Sequence, residues 1–220
     1  MELKINNACL EQVDEYKFLG VTIDKHLTWK SHINNVKSKM ARSTGIISIT
    51  RHTLNLKSLY MLYCTLLLPY MTYCVETWGN NNNTNLKPIE LIQKKAIRII
   101  NNVGYTHPTN ELFHRLGTLK FKNIVELYTA QIVYKARYNL LPGNLQILYR
   151  NRDGRYEYRN PLNFQQPRTR TEWKRLCVSA IGVKLWNDLP DELKKCNNIY
   201  QFKKMFKKRV IDNYGLSDDD

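Results

Sequence analysis

The chain has 220 residues, room for one domain or two small ones, and 43% of them are hydrophobic, enough for a core. Its 34 Lys plus Arg against 19 Asp plus Glu give a net charge of +15 and a pI of about 9.6, a balance that favours polyanions, nucleic acid first among them. Five scattered cysteines without a CxxC, and five histidines without finger spacing, exclude a zinc finger; the odd cysteine count and the lack of a secretory leader point to a reducing, intracellular compartment, nuclear or cytoplasmic, and not to secretion.

Residues 1–28 read as short strands. Leu3 and Ile5 alternate with polar residues, Asn6-Asn7 turns the chain, and Leu10–Val13 and Lys17–Ile23 are expected to pair. Asp14 and Asp24 flank the last strand as turn residues, and Gly20 reads as a place where another backbone comes close. A first helix is expected over Ser31–His52, with Ile33, Val36, Met40 and Ile47 on its apolar stripe. Leu59 to Val75 carries no formal charge and imitates a membrane span, but its tyrosines, threonines and Pro69 fit a buried helix better. That helix is expected over Leu56–Thr77, kinked or split at Pro69 and ended by Trp78-Gly79.

A third helix is expected from Pro88, with Ile89, Ile92, Ala96 and Ile99 inward and Gln93, Lys94, Lys95 and Arg98 on the opposite face. A short helix follows Thr109 and stops at Gly117; another runs over Lys122–Tyr138 and stops at Leu141-Pro142-Gly143. Residues 144–172 interleave arginines with Tyr149, Tyr156, Tyr158 and Phe164, as an extended linker or weak hairpin. The last unit, 173–216, holds a helix over Trp173–Trp186, a stop at Asn187-Asp188-Leu189-Pro190 and a helix over Ile199–Tyr214; residues 217–220 form an acidic tail. The fold class is mostly α, with a short N-terminal β-hairpin, a helical bundle over 29–143 and a C-terminal helical unit.

The stretch YKFLGVTIDKHLTW from Tyr16 to Trp29 resembles the end of the palm and start of the thumb in reverse transcriptases of non-LTR, LINE-type, jockey-like retrotransposons. Pro69-Tyr70, Trp78-Gly79, Gln93-Lys94-Lys95-Ala96-Ile97-Arg98 and Leu185-Trp186-Asn187-Asp188-Leu189-Pro190 extend the resemblance in order along the chain. It implies a palm remnant at residues 1–28, a thumb-like domain at 29–143 and a less understood C-terminal region. It also implies RNA-directed DNA polymerase ancestry, with two Mg²⁺ held by palm carboxylates in an intact enzyme. No aspartate pair lies in a strand context in this sequence; Asp218-Asp219 sit in the tail. The chain is therefore expected to hold no catalytic residue, metal or cofactor of its own and to be inactive alone, as a truncated copy or partial open reading frame.

Candidate contacts follow. By the resemblance, Phe18-Leu19-Gly20 would steady a primer terminus; a core strand with a packing glycine explains them equally well. Lys94, Lys95 and Arg98 would grip a duplex backbone by neutralising phosphates, or form an ordinary solvated helix face. Arg155, Arg168 and Arg170, set among tyrosines, would offer a second surface to single strands or bent RNA, or belong to a basic linker that binds nothing specific. Lys203, Lys204, Lys207, Lys208 and Arg209 make a further basic ridge. The expected partners are a template–primer nucleic acid, RNA or DNA, and the missing palm and fingers, with no membrane. The rivals are a stand-alone, non-enzymatic nucleic-acid-binding protein and a helical scaffold whose charge is incidental.

Overall fold

The structure is a computed structural model that describes residues 11–151 and 162–214, together with the strand backbone of 4–5 and 8–9. β1 (Lys4–Ile5) pairs antiparallel with β2 (Ala8–Cys9), and β3 (Glu15–Phe18) with β4 (Val21–Asp24). Where the sequence reads Lys17–Ile23 as one strand, the chain folds back on itself, with Phe18 opposite Val21 and Glu15 opposite Asp24. Leu19 and Gly20 form the two-residue turn, with φ of 45° and 86°. Positive φ at both central positions is the type I′ pattern, whose twist matches that of the flanking strands. Gly20 is thus needed for its dihedral and not for a neighbouring backbone.

The hairpin leads into α1 (Lys30–Thr50) through a junction organised by Asp24. Its buried carboxylate accepts the N–H of His26 (3.1 Å), Thr28 (3.0 Å) and Trp29 (2.8 Å), and the Thr28 hydroxyl (3.2 Å). Burial pushes this carboxyl up, but the donors outweigh it and hold Asp24 below the usual carboxylate value. Asp24 is the turn residue its sequence context predicts. Ile33, Val36, Met40 and Ile47 form the buried stripe of α1 as expected.

The apolar segment splits into α2 (Leu56–Leu62), a π-turn over Tyr63–Leu67, α3 (Leu68–Thr72) and α4 (Val75–Trp78). Pro69 has no N–H to give and its ring would crowd the carbonyl one turn back. The chain widens just before it, and the Leu68 N–H reaches back to the Tyr63 carbonyl. Cys74, at φ 48°, then redirects the chain into α4. Leu59, Tyr63, Leu67, Met71, Val75 and Trp78 are all buried. Among the described residues no helix is long and apolar enough to cross a membrane.

α5 (Asn83–Ile100) begins before Pro88, not at it, so Pro88 lies inside the helix near its N-terminal end. Gln93, expected on the polar face, is buried. α6 (Asn110–Leu116) ends at Gly117, φ 59°, and α7 (Phe121–Arg137) follows. α8 (Gly143–Gln146), α9 (Glu172–Leu176), α10 (Val178–Asp188), α11 (Asp191–Lys194) and α12 (Ile199–Tyr214) complete the chain. The helix expected over Trp173–Trp186 is interrupted at Cys177, whose backbone is extended. α1 packs along α5, while α10 and α12 pack on α7. One continuous core therefore runs from Ile33 to Tyr214 and includes the C-terminal unit.

The arginine- and tyrosine-rich segment is tied down at both ends. Tyr149 and Phe164 are buried, Asn151 bridges Phe164, and the Gln165 N–H donates to the Arg150 carbonyl at 2.9 Å. These contacts have the character of a weak hairpin. Arg155, Arg152, Arg159, Tyr156 and Tyr158 lie outside the described residues, as do Asp218 and Asp219.

Candidate nucleic-acid interface

The hairpin turn presents apolar side chains to solvent, with Phe18 57% and Leu19 73% exposed. A left-handed leucine costs about 1–2 kcal/mol, and a partner holds it in place. The Tyr73 hydroxyl donates to the Leu19 carbonyl at 2.5 Å. The Tyr73 ring also lies 3.5 Å from where a Cβ on Gly20 would be. Tyr73 follows α3, and Tyr70 stands one turn earlier on it. Lys39 of α1 places its Nζ 5.5 Å from the Tyr70 ring centroid. α1 packs against both β4 and α3, so the turn, two tyrosine rings and an ammonium share one region. Rings of this kind stack bases or sugars, and ammonium groups neutralise phosphates. Sequence reasoning singled out Phe18, Leu19 and Gly20 but not Tyr70, Tyr73 or Lys39 as a group. The signal available was the pair of tyrosines three apart after Pro69.

His32 joins this region to the core. The Thr22 N–H donates to its Nδ1 at 3.3 Å, and the ring meets Trp78 edge-on with centroids 5.4 Å apart. Burial, then the charge of Lys39, hold His32 below the ordinary imidazole value, so the neutral ring serves as the acceptor.

The other predicted residues lie elsewhere. Lys95 is exposed on α5, while Lys94 and Arg98 are half-buried. The Arg98 Nε donates to the His107 carbonyl at 2.8 Å, and its guanidinium lies 5.7 Å from the Tyr105 ring centroid. Arg98 thus secures the loop between α5 and α6. Arg168 and Arg170 are exposed on the approach to α9. Among the described residues no hydrogen bond or ring contact joins the α5 cations to the hairpin turn.

The motif residues are mostly structural. The Trp78 Nε1 donates to the Tyr73 carbonyl at 3.0 Å, and a Cβ on Gly79 would meet Val125 Cγ2 at 2.9 Å. Gln93 bridges three core groups. The Trp186 Nε1 donates to the Leu162 carbonyl at 2.9 Å, and the Asn187 amide both accepts from and donates to the Phe164 backbone at 3.0 Å. Among the described residues no three His, Cys, Asp or Glu side chains converge as a metal site. They offer no seat for a pair of magnesium ions.

The chain is similar in sequence to RNA-directed DNA polymerases of non-LTR retrotransposons. The polymerase from mobile element jockey of Drosophila melanogaster is 26% identical over 147 residues, 65% of this chain and 16% of the polymerase. The jockey polymerase of Drosophila funebris is 26% identical over 112 residues, covering 49% of this chain and 12% of its own length. The probable RNA-directed DNA polymerase from transposon X-element of Drosophila melanogaster is 29% identical over 100 residues, 44% of this chain and 11% of that protein. The chain thus spans a minor part of the curated relatives it matches. No family model matches it, and no solved structure does.

Proposed function

We propose that this chain is the thumb-side part of a LINE-type RNA-directed DNA polymerase. In this reading it holds the sugar-phosphate backbone of a template–primer duplex and does not itself transfer nucleotides. The observation that supports this most is the exposed Leu19-Gly20 turn, braced by Tyr73 beside Tyr70 and Lys39, in a chain similar to such polymerases. Backbone approaches backbone at the turn, the tyrosines flank the strand, and Lys39 meets a phosphate. Lys94 and Lys95 add a second row of phosphate contacts, and Arg168 and Arg170 a third. The +15 charge draws the duplex in.

The test is the affinity for an RNA–DNA primer duplex as salt rises from 50 to 200 mM. Log affinity should fall with log salt by about 0.9 per phosphate neutralised. Lys39→Ala, and the pair Lys94→Ala with Lys95→Ala, should each flatten that slope. Leu19→Asn should stabilise the turn, because asparagine suits the left-handed region, and should weaken duplex binding because the apolar tip is lost. Absence of salt-dependent binding, or variants that bind like the parent, would refute the proposal and leave a helical scaffold.

A further inference from the structure

Between the turn entering α1, the start of α4 and the short helices α8 and α9 lies a cleft of about 700 Å³. Its size is that of ordinary small-ligand sites. Leu145 and Leu148 make it apolar, and Trp29, Tyr149 and Trp173 bring three aromatic rings to its walls. Trp173 is 59% exposed, so the cleft shows an open aromatic face to solvent. Glu76 of α4 lies in the same wall, and its Oε2 is buried without a hydrogen-bond partner. A carboxylate oxygen kept from water and from donors is costly. Its donor is best supplied by whatever fills the cleft. Lys174 also lines the cleft, and the exposed Arg168 and Arg170 lie just ahead of α9.

We propose that this cleft takes an unstacked guanine base of a single-stranded nucleic acid. Aromatic walls stack a base of any identity; the carboxylate chooses among them. Guanine alone presents two adjacent donors, N1–H and the N2 amino group, which match the two acceptor oxygens of a carboxylate. Adenine and cytosine set an acceptor nitrogen beside their amino group, and uracil sets carbonyls on both sides of its one N–H. Those edges would push an acceptor against Glu76. The flanking phosphates fall to Lys174 and Arg170. A cationic ligand would also satisfy the carboxylate, but a surface of net charge +15 repels it. The inference rests on nucleic-acid contact as proposed above, at a second place on the molecule.

The test uses the full chain and fluorescently labelled pentaribonucleotides UUGUU, UUIUU and UUUUU, where inosine (I) keeps the N1–H and lacks the N2 amino group. UUGUU should bind about tenfold more tightly than UUUUU, in line with one bidentate base contact, and UUIUU should fall between them. Glu76→Gln keeps the side-chain volume and should erase that difference while leaving UUUUU affinity unchanged. Trp173→Ala trims an exposed ring, so it should fold, and should weaken UUGUU most. Equal affinity for the three oligonucleotides would overturn the guanine site and spare the backbone-holding proposal. Binding of none of them, alongside no duplex binding, would overturn both. Quenching of tryptophan fluorescence by penta-arginine and not by UUGUU would assign the cleft to a basic peptide and also overturn it.

Discussion

Gln93 is a polar hub inside an apolar core, and its removal is the sharpest test of the packing. It sits on α5 at 1% exposure. Its Nε2 donates to the Tyr63 hydroxyl oxygen (2.8 Å) and the Leu119 carbonyl (2.9 Å), and its Oε1 accepts the Phe121 N–H (2.7 Å). One amide therefore ties α5 to the π-turn and to the start of α7. Gln93→Leu roughly keeps the volume and removes all three bonds. Each buried group left without a partner costs about 1–3 kcal/mol. The groups are neighbours and their losses are not additive, so a total of about 3–5 kcal/mol is expected for this mechanism. That is a large share of a typical stability of about 5–15 kcal/mol.

Urea unfolding followed by far-UV circular dichroism reads this directly. With a slope of about 2–3 kcal/mol per molar urea, the midpoint should fall by about 1–2 M while the slope is unchanged. Lys95→Ala, on the exposed side of the same helix, should stay within about 0.5 kcal/mol of the parent. A Gln93→Leu midpoint that moves by less than about 0.3 M would refute the bridging role.

Three further outcomes follow from the same contacts. Gly79→Ala would set a Cβ 2.5 Å from the Val75 carbonyl oxygen and 2.9 Å from Val125 Cγ2, and should cost about 1–3 kcal/mol by overpacking, read as a lowered urea midpoint. Asn187→Ala should cost about 1–3 kcal/mol, because the Phe164 N–H and carbonyl lose their partner; thermal melts check it. For His32 the folded value lies below the ordinary 6.5, so the unfolded chain takes up the proton first. Its contribution to stability is complete above pH 6.5 and is lost as pH falls below that. His32→Gln should therefore flatten the fall in melting temperature on going from pH 7.5 to 5.5.

The mostly helical class, the hairpin and the apolar stripe of α1 were legible because periodicity and turn chemistry report them directly. So was the trouble at Pro69, although its form, a widened turn and three pieces, depends on what the neighbours tolerate. Gln93 was misplaced because a glutamine among lysines reads as solvated. Only the tertiary arrangement reveals that Tyr63, Leu119 and Phe121 converge on it. The start of α5 was set too late because Pro88 suits a first turn, whereas packing of Leu86 and Ile89 extends the helix past it. The hairpin residues Phe18 to Gly20 could be found from sequence. Tyr73 could not, since its bond to Leu19 spans 54 positions. The cleft was invisible for the same reason: Trp29, Glu76 and Trp173 come from three distant stretches.

The residues that carry the family resemblance and those proposed to touch nucleic acid are different sets. Trp78, Gly79, Gln93, Trp186 and Asn187 face inward and hold elements together, so a resemblance through them reports the scaffold. Lys39, Tyr70 and Leu19 face outward, where a side chain is free to change without cost to the fold. This separation makes the two readings independently testable. The pair Lys39→Ala with Tyr70→Ala removes a cation–π contact worth about 0.5–1 kcal/mol at an exposed site, so stability should hardly move. Duplex binding should nonetheless fall and lose salt dependence. Gln93→Leu should do the reverse under conditions where it remains folded, with a weakened core and an intact salt slope. If both changes lowered stability and binding together, the outward surface would be part of the scaffold, and the division drawn from the structure would fail.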